Sequence, residues 1–185
     1  SPNPLARLLE TKRRSEEDVL DLTESNPTRA GLDYPQEEIL AGLRNRHSLV
    51  YEPIPHGLQQ ARESVAQYYL DRGKTVLPEN LLLTASTSEA YSHLFKLLTD
   101  PGDRVLIPVP YWTSYPEMVT LARAEAVPVF GDPARDFHMT PEDLEGAHNP
   151  QVRGLLLCTP SNPSGGVYSL DELRAVAEWA RARDI

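Results

Sequence analysis

Residues 105–130 read VLIPVPYWTSYPEMVTLARAEAVPVF, and this stretch decides the fold class. Val105–Val109 and Val127–Phe130 are short, continuous apolar runs, which are typical of strands buried on both faces. Pro116–Ala124, which lies between them, is predicted to be helical. A strand, a helix and a second strand in this order favour a parallel pair joined by a crossover helix.

The alternation of strands and helices continues outward from this unit. Strands are predicted at Leu81–Thr84 and Gly154–Cys158, and helices within Asp33–Arg46, Gly57–Arg72 and Ser88–Leu98, from the N-cap Thr140, and from the Ser169/Glu172 capping box. The fold class is therefore predicted to be α/β, a three-layer α/β/α arrangement with a mostly parallel sheet. Because the chain reaches Ile185 directly after a helix, the sheet is expected to be truncated there.

Composition excludes some functions and indicates none. The 185 residues suffice for a domain with a core, and the net charge of −9 argues against a general nucleic-acid binder. No apolar run is long enough to span a bilayer, and Ser1–Arg14 lacks the apolar segment of a signal peptide. Cys158 is the single cysteine, so no intrachain disulfide can form, and an inert buried thiol is expected. A cytoplasmic location is predicted.

Three chemically unusual segments follow predicted strands, at the edge where open α/β sheets bind ligands. The first is Ala85-Ser-Thr-Ser-Glu89, which places three hydroxyls and several backbone N–H groups at the start of a helix, an arrangement that suits a phosphate. The alternative is that Ser86 or Ser88 only caps the helix.

The second segment is Pro110–Tyr115, in which Trp112 could stack on a flat ligand or belong to the core. The third is Thr159–Gly166, in which prolines flank Asn162, whose amide can donate and accept; the alternative is an ordinary Asn-Pro turn. Together the three segments predict a site for a phosphorylated aromatic ligand. No Walker loop and no Gly-x-Gly-x-x-Gly motif competes with this interpretation.

Neither the histidines nor the acidic pairs form a second convincing site. The five histidines lack metal-ligand spacing, so no metal site is predicted. Acidic pairs such as Glu142-Asp143 are expected on solvated helix faces or first turns, and nothing else supports a glycosidase-type carboxylate pair.

Five segments resemble, in the same order, motifs of the class I/II aminotransferases, which are fold-type-I enzymes dependent on pyridoxal 5′-phosphate (PLP). They are Leu22-Thr-Glu-Ser-Asn-Pro27, Tyr51 with Pro55-His-Gly57 and Arg62, Ser86-Thr-Ser-Glu-Ala90, Pro108-Val-Pro-Tyr-Trp-Thr-Ser-Tyr115, and Pro160-Ser-Asn-Pro-Ser-Gly165. The last is the most specific. The resemblance covers nearly the whole chain and corresponds to the N-terminal portion of such an enzyme.

The resemblance implies two domains: residues 1–50 as an N-terminal arm with part of the small domain, and 51–185 as the first part of the PLP-binding large domain. It also implies roles for single residues. The PLP phosphate would be held by Ser86, Thr87 and Ser88, the ring would stack on Trp112 (or Tyr111, if the alignment slips by one), and its 3′-oxygen would bond to Asn162. Tyr51 would reach the phosphate of a partner subunit in a homodimer, and Ser25 and Asn26 would lie near the substrate carboxylate.

The chain departs from the family pattern in three respects. Thr87 stands where many members have glycine or alanine, and the spacing from Tyr51 to Gly57 is one residue longer than in many members. The third departure is the absence of the Schiff-base lysine, the aspartate for the pyridine nitrogen and the arginine for the substrate carboxylate. No catalytic residue is therefore assigned, and the chain alone is predicted to be inactive.

The resemblance implies transfer of an amino group between an amino acid and a 2-oxo acid. A PLP-dependent lyase, decarboxylase or synthase of the same fold stays open, because fold does not determine reaction. A non-catalytic, aminotransferase-like binding domain is a further alternative, although Ser1–Asp21 is too short for the DNA-binding segment of such regulators. The chain could also be a proteolytic product of its parent.

Overall fold

The computed structural model describes residues 3–15, 18–20 and 26–185. By their contacts, the residues group into two compact units, Ser1–Pro53 and Ile54–Ile185. The assignment of these parts to a small and a large domain stays a prediction.

The first unit consists of short helices. They are α1 (Pro4–Arg14), α2 (Gln36–Leu43) and two 3₁₀ turns, Pro27–Arg29 and Arg46–Leu49. The α2 helix confirms the prediction within Asp33–Arg46, whereas α1 was not predicted. Its N-terminus is capped by Asn3, whose side chain accepts a hydrogen bond from the Ala6 N–H at 2.8 Å. No described residue of this unit is buried.

The second unit contains the sheet. In chain order its elements are α3 (Gln59–Leu70), a 3₁₀ turn at Pro78–Asn80, α4 (Thr87–Leu98), β1 (Arg104–Val109), α5 (Ser114–Leu121), β2 (Glu125–Phe130), a 3₁₀ turn at Pro133–Arg135, α6 (Pro141–Ala147), β3 (Val152–Leu155) and α7 (Leu170–Arg181). The strands are ordered β2-β1-β3, and β1 pairs in parallel with both neighbours. The predicted parallel α/β sheet is thereby confirmed.

Helices cover both faces of the sheet. Alternate residues of β1 point to opposite faces, so the strand contributes to two separate apolar clusters. Val105 and Ile107 contribute to one apolar cluster and Leu106 to the other. We call them the Tyr115 face, with Phe95, Val105, Ile107, Tyr115, Met118, Val119, Ala122, Ala124 and Leu156, and the Trp179 face, with Leu106, Val129, Met139, Leu144, Val152, Val176 and Trp179. The architecture is the predicted three-layer α/β/α sandwich.

The two helices of the Trp179 face begin at complete capping boxes. In α6 the Thr140 side chain accepts from the Asp143 N–H, and in α7 Ser169 accepts from the Glu172 N–H at 3.3 Å. Each acidic side chain in turn accepts a hydrogen bond from the backbone N–H of its N-cap residue. These short-range signals confirm the predicted helix starts.

The prediction of a strand at Leu81–Thr84 was wrong. The segment is extended but pairs with no strand among the described residues. The Leu83 N–H instead donates to the carbonyl of His56 at 3.0 Å. Gly57, with φ of +89°, lies so close to Leu83 that a Cβ atom would come within 2.8 Å of the leucine side chain. An apolar run identifies extended chain, but it does not reveal whether a hydrogen-bonding neighbour exists.

Other boundaries moved by a few residues. The strand predicted at Gly154–Cys158 is β3, which begins at Val152, and one further bond joins the Leu156 N–H to the carbonyl of Leu106 at 2.9 Å. Among the described residues, no helix has the length and apolar composition that a membrane crossing requires.

Candidate functional site

The start of α4 presents unpaired polar groups to solvent. Ser86 is the N-cap, and its side chain accepts from the Glu89 N–H at 3.2 Å. The hydroxyls and backbone N–H groups of Thr87 and Ser88 make no hydrogen bond to any described residue. Ser86 and Thr87 are exposed and Ser88 is half-buried. The capping role of Ser86 is therefore observed, and its proposed role toward a phosphate stays a prediction.

An acidic side chain lies at the same helix end. One carboxylate oxygen of Glu89 accepts the Ala85 N–H at 2.6 Å, and the other is 3.8 Å from Nε2 of His93. The carboxylate thus satisfies an N–H that the helix leaves free and interacts favourably with the positive end of the helix dipole. An incoming anion would meet this negative charge.

Trp112 follows β1 and is half-buried. Its ring meets that of Tyr115 edge-on, with centroids 5.5 Å apart and an interplanar angle of 82°. Tyr115 is buried and in turn contacts Tyr91 of α4 edge-on at 5.4 Å. One side of Trp112 is therefore held by the core, and part of its ring remains accessible. Tyr111 is equally half-buried, so burial does not distinguish the two candidate stacking rings.

Asn162 lies in a loop that is held by its own backbone. The Ser161 N–H donates to the carbonyl of Gly166, and the Gly165 N–H donates to the carbonyl of Ser161, both at 2.8 Å. The peptide bonds before Pro160 and Pro163 are cis. Asn162 itself is exposed, and its amide makes no hydrogen bond to the described residues. The loop thus presents an unpaired amide from a constrained backbone.

Gly166 packs against His138 on the inner side of this loop. A Cβ atom at Gly166 would lie 3.0 Å from Nε2 of His138, so a side chain there would require His138 to shift by a few tenths of an ångström. His138 is buried, stacks on Tyr168 with centroids 4.0 Å apart, and bonds through Nδ1 to Glu172 at 3.0 Å. The loop therefore rests on His138, which is held in turn by Tyr168 and by Glu172 of α7.

The structure brings some predicted site residues to a common edge. The segments of Trp112 and Asn162 follow β1 and β3, which are parallel neighbours, so both begin at the carboxyl edge of the sheet. Phe95 and Tyr91 pack α4 against the same cluster as Trp112. Asn26 and Tyr51 belong to the first unit, and Ser25 lies outside the described residues.

The two predicted site residues of the first unit, Tyr51 and Asn26, differ in their exposure and hydrogen bonding. Tyr51 is exposed over 91% of its surface. Asn26 caps the turn Pro27–Arg29, where its Oδ1 accepts from the N–H of Thr28 at 3.0 Å and from its hydroxyl at 2.7 Å. A role for Asn26 toward a substrate would have to accommodate these local bonds.

Sequence reasoning assigned no role to Tyr91 or Tyr115, although their rings meet edge-on. Burial, followed by the neighbouring Cys158 and Tyr91 side chains, raises the pKa of Tyr115. Cys158, expected to be buried, is half-buried, and its Sγ lies 3.3 Å from the carbonyl oxygen of Pro160. Nothing in the sequence spacing could have found the contact of Tyr91 with Tyr115. In the described part of the chain, no group of three or more His, Cys, Asp or Glu could hold a metal ion.

Comparisons with known proteins agree with this architecture. The family model for aminotransferase class I and II matches residues 17–185. A probable aspartate/prephenate aminotransferase of Thermus aquaticus is 37% identical over 182 residues, which are 97% of this chain and 46% of that protein. The glutamate-pyruvate aminotransferase AlaA of Escherichia coli K12 is 31% identical, with 96% of this chain and 45% of that protein covered.

Solved structures show the same similarity. A single mutant of the Thermus thermophilus aspartate aminotransferase superimposes with a TM-score of 0.83 at 34% identity, covering 100% of this chain and 49% of that one. The chain thus spans about half the length of the relatives that it matches. With a family model that matches most of its residues, this chain belongs to the class I and II aminotransferases.

Proposed function

We propose that this chain is part of a PLP-dependent aminotransferase, which transfers an amino group between an amino acid and a 2-oxo acid. One observation carries the proposal. Trp112, with an accessible indole, and Asn162, with an unpaired amide, lie in segments that follow parallel neighbouring strands at one sheet edge. The α4 helix, whose start has unpaired hydroxyls and N–H groups, packs against the same apolar cluster as Trp112. This donor set suits a phosphate joined to a flat, polar ring.

Each residue has a defined task under this proposal. Ser86, Thr87 and Ser88 bind the phosphate, Trp112 stacks on the ring, and Asn162 donates a hydrogen bond to the 3′-oxygen. When bound, PLP supplies an electron sink for the bond that breaks at the substrate, and the protein supplies orientation and electrostatics. Trp112 also excludes water from one face of the ring.

The substrate and assembly roles fall on the first unit. Ser25 and Asn26 are proposed to lie near the substrate carboxylate, and Tyr51 to reach the phosphate site of a partner subunit in a homodimer. Aspartate and glutamate are the first amino donors to test, because the relatives are described as aspartate/prephenate and glutamate-pyruvate aminotransferases. The cytoplasm is the proposed location.

By itself, the chain is proposed not to transaminate. Its lysines are Lys12, Lys74 and Lys96. Lys74 follows α3, before the 3₁₀ turn at Pro78–Asn80, and Lys96 lies in the last turn of α4, about 12 Å along the helix from the phosphate-binding start. Neither lysine belongs to the segments after β1 and β3 that carry Trp112 and Asn162, and Lys12 lies in the basic last turn of α1.

The test is PLP binding by the purified chain, measured by equilibrium dialysis. We expect weak binding that Asn162→Ala weakens about tenfold or more, since a hydrogen bond to a charged group is worth about 1.5–3 kcal/mol. Asn80→Ala is the matched control, because Asn80 is also exposed and lies in the 3₁₀ turn at Pro78–Asn80. No binding by the unsubstituted chain, or equal effects of the two substitutions, would contradict the proposed site.

Activity is tested separately, with PLP, aspartate or glutamate and a 2-oxo acid. We expect no new oxo acid and no lysine adduct after borohydride reduction. Turnover together with trapping at Lys12, Lys74 or Lys96 would show that the chain is active alone.

A further inference from the structure

Among the described residues, His138 is the only acidic, basic or imidazole side chain that is buried. Its Nδ1 lies 3.0 Å from a carboxylate oxygen of Glu172, and its ring stacks on that of Tyr168 with an interplanar angle of 18°. Its other nitrogen, Nε2, is buried and has no hydrogen-bond partner in the described part of the chain. A buried polar atom without a partner is costly, so its position requires an explanation.

The bond with Glu172 determines how the imidazole is oriented. Hydrogen bonds with Ser169, followed by that with His138, lower the pKa of Glu172 from 4.5 to about 2, so its carboxylate is ionised at neutral pH and only accepts. Nδ1 must then carry a proton, which it donates to this carboxylate. Because the two ring nitrogens face different directions, the same bond turns Nε2 away from α7 and toward Gly166.

His138 lies against one end of the loop that carries Asn162. We call residues 159–166 the Asn162 loop. Gly166, its last residue, is buried, and a Cβ atom there would come within 3.0 Å of Nε2 of His138. At the first residue of the loop, the Thr159 hydroxyl accepts from the N–H of Tyr168 at 3.2 Å. Both ends of the loop therefore contact either His138 or the tyrosine on which His138 stacks.

The backbone before His138 is strained toward the same contact. Asp136 and Phe137 are successive residues in the left-handed region, with φ of 51° and 61°. Residues other than glycine rarely adopt this conformation, which persists only where surrounding contacts maintain it. Here the Phe137 N–H donates to the carbonyl of Asp132 at 3.0 Å. The Asp136 carbonyl oxygen is 3.1 Å from the position of a Cβ atom at Gly166, so the turn brings backbone and imidazole together at the end of the loop.

We propose that His138 is a positioning residue of the PLP site, which supports the Asn162 loop so that the amide of Asn162 is held where the cofactor requires it. Glu172 acts through His138, by holding the imidazole at Nδ1. This inference rests on the proposed function and extends it to a residue that does not itself touch the cofactor. An apolar ring at position 138 could pack on Tyr168, but Glu172 could not hold it.

The alternative is that His138 only fills space beside the loop. His138→Phe keeps a ring for stacking on Tyr168 and removes the bond to Glu172, so it separates the two roles. His148→Phe is the matched control. His148 is half-buried and meets the ring of Trp179 edge-on at 5.7 Å, but it lies between α6 and β3 and not in the turn before the loop.

The experiment is amide hydrogen exchange by NMR on the whole 185-residue chain. The N–H groups of Ser161 and Gly165 are bonded within the loop at 2.8 Å, so their exchange reports its local order. We expect His138→Phe to speed this exchange about threefold to tenfold relative to the amides of β1, the factor that one net hydrogen bond represents. His148→Phe should leave this ratio unchanged. Equal acceleration of loop and β1 amides in His138→Phe would mean a loss of global stability alone and would overturn the proposal.

Glu172→Gln tests whether the carboxylate acts through the imidazole. The variant keeps an acceptor and removes the charge, and it should speed loop exchange about two- to fivefold, because a hydrogen bond to a charged group is about twice as strong as a neutral one. In the His138→Phe background the same change should add nothing, since no imidazole remains to be held. Equal acceleration by Glu172→Gln in both backgrounds would contradict the proposed connection.

Gly166→Ala decides if His138→Phe fails to fold. The added Cβ requires His138 to shift, so we expect the ring C–H signals of His138 to move and loop exchange to become faster. Gly146→Ala is the control, because a Cβ atom at Gly146 meets nothing within 4 Å. Unchanged His138 signals and loop exchange in a folded Gly166→Ala variant would overturn the proposal.

PLP affinity then separates this inference from the proposed function. We expect His138→Phe to weaken PLP binding about threefold to tenfold, and His148→Phe to leave it unchanged. If the unsubstituted chain binds no PLP, the proposed function fails, while the exchange rates still decide whether His138 supports the loop. If the unsubstituted chain binds PLP and His138→Phe binds it equally well, the inference is overturned and the proposed function stands.

Discussion

The two faces of the sheet each carry a buried tyrosine, and the two side chains have different contacts. Tyr168, on the side of the Trp179 face, accepts from a backbone N–H and stacks on His138. Tyr115 instead meets the rings of Trp112 and Tyr91 edge-on. The Trp179 face also has both complete capping boxes, whereas the unpaired groups of Thr87 and Ser88 belong to α4, which packs on the Tyr115 face. Polar groups on one side mainly stabilise the fold, and those on the other remain available to a ligand.

The largest expected effect compares the two tryptophans. Trp179 is buried, and its Nε1 donates to Glu145 at 2.8 Å, so Trp179→Ala should cost about 3–5 kcal/mol of unfolding free energy. Trp112 is half-buried, and Trp112→Ala should cost clearly less. Urea unfolding measures both. Equal losses would show that stability and ligand recognition are not divided between the two faces.

Substitution of two N-cap serines compares the same two faces, with a smaller expected loss of unfolding free energy. Ser86 caps α4 and Ser169 caps α7, so each Ser→Ala change should cost about 1 kcal/mol of unfolding free energy. Only Ser86→Ala should also weaken PLP binding, because only Ser86 lies in the proposed phosphate site. Dialysis with PLP distinguishes the pair, and a loss of affinity in Ser169→Ala would contradict the division.

Local patterns predicted much of the fold, since capping boxes and apolar runs act over a few residues. The helix starts at Thr140 and Ser169 and the strands around Val105 and Val127 are examples. The strand at Leu81–Thr84 was wrong because pairing depends on a distant neighbour.

The same distinction applies to the site. Trp112 and Asn162 could be proposed from their loops. The edge-on contact of Tyr115 with Tyr91, 24 positions earlier, depends on the packing of α5 against α4. Neither residue type by itself indicates such a contact, and Cys158, which was expected to be an inert buried thiol, is half-buried.

The pH dependence of stability should have one contribution from the Trp179 face. Hydrogen bonds from the side chain and backbone of Ser169, followed by that with His138, lower the pKa of Glu172 from 4.5 to about 2. A carboxylate whose pKa is depressed on folding contributes stability that is fully present above its unfolded value. This contribution should therefore be complete above pH 4.5 and lost as the pH falls toward about 2.

Glu172→Gln isolates this contribution from the other carboxylates. At neutral pH the variant should be less stable than the unsubstituted chain, and the difference should shrink as the pH falls from 4.5 to about 2. Urea unfolding at several pH values measures it. A difference that stays constant over this range would mean that Glu172 titrates alike in the folded and unfolded chain.

The smallest effect is expected at Glu89, where the needs of the fold and of a ligand conflict. Its carboxylate accepts the Ala85 N–H at 2.6 Å and stabilises the start of α4, but it also brings negative charge to the proposed phosphate site. Glu89→Gln keeps an acceptor and removes the charge. We expect PLP, and inorganic phosphate as a simpler probe, to bind about two- to fivefold more tightly, since a charge near a helix N-terminus is worth about 0.3–1 kcal/mol.

Glu142→Gln is the matched control, because Glu142 also lies in the first turn of a helix, α6, which packs on the Trp179 face. Equal changes in phosphate affinity for both variants would attribute the effect to net charge, whereas tighter binding in Glu89→Gln alone would place the anion at the start of α4.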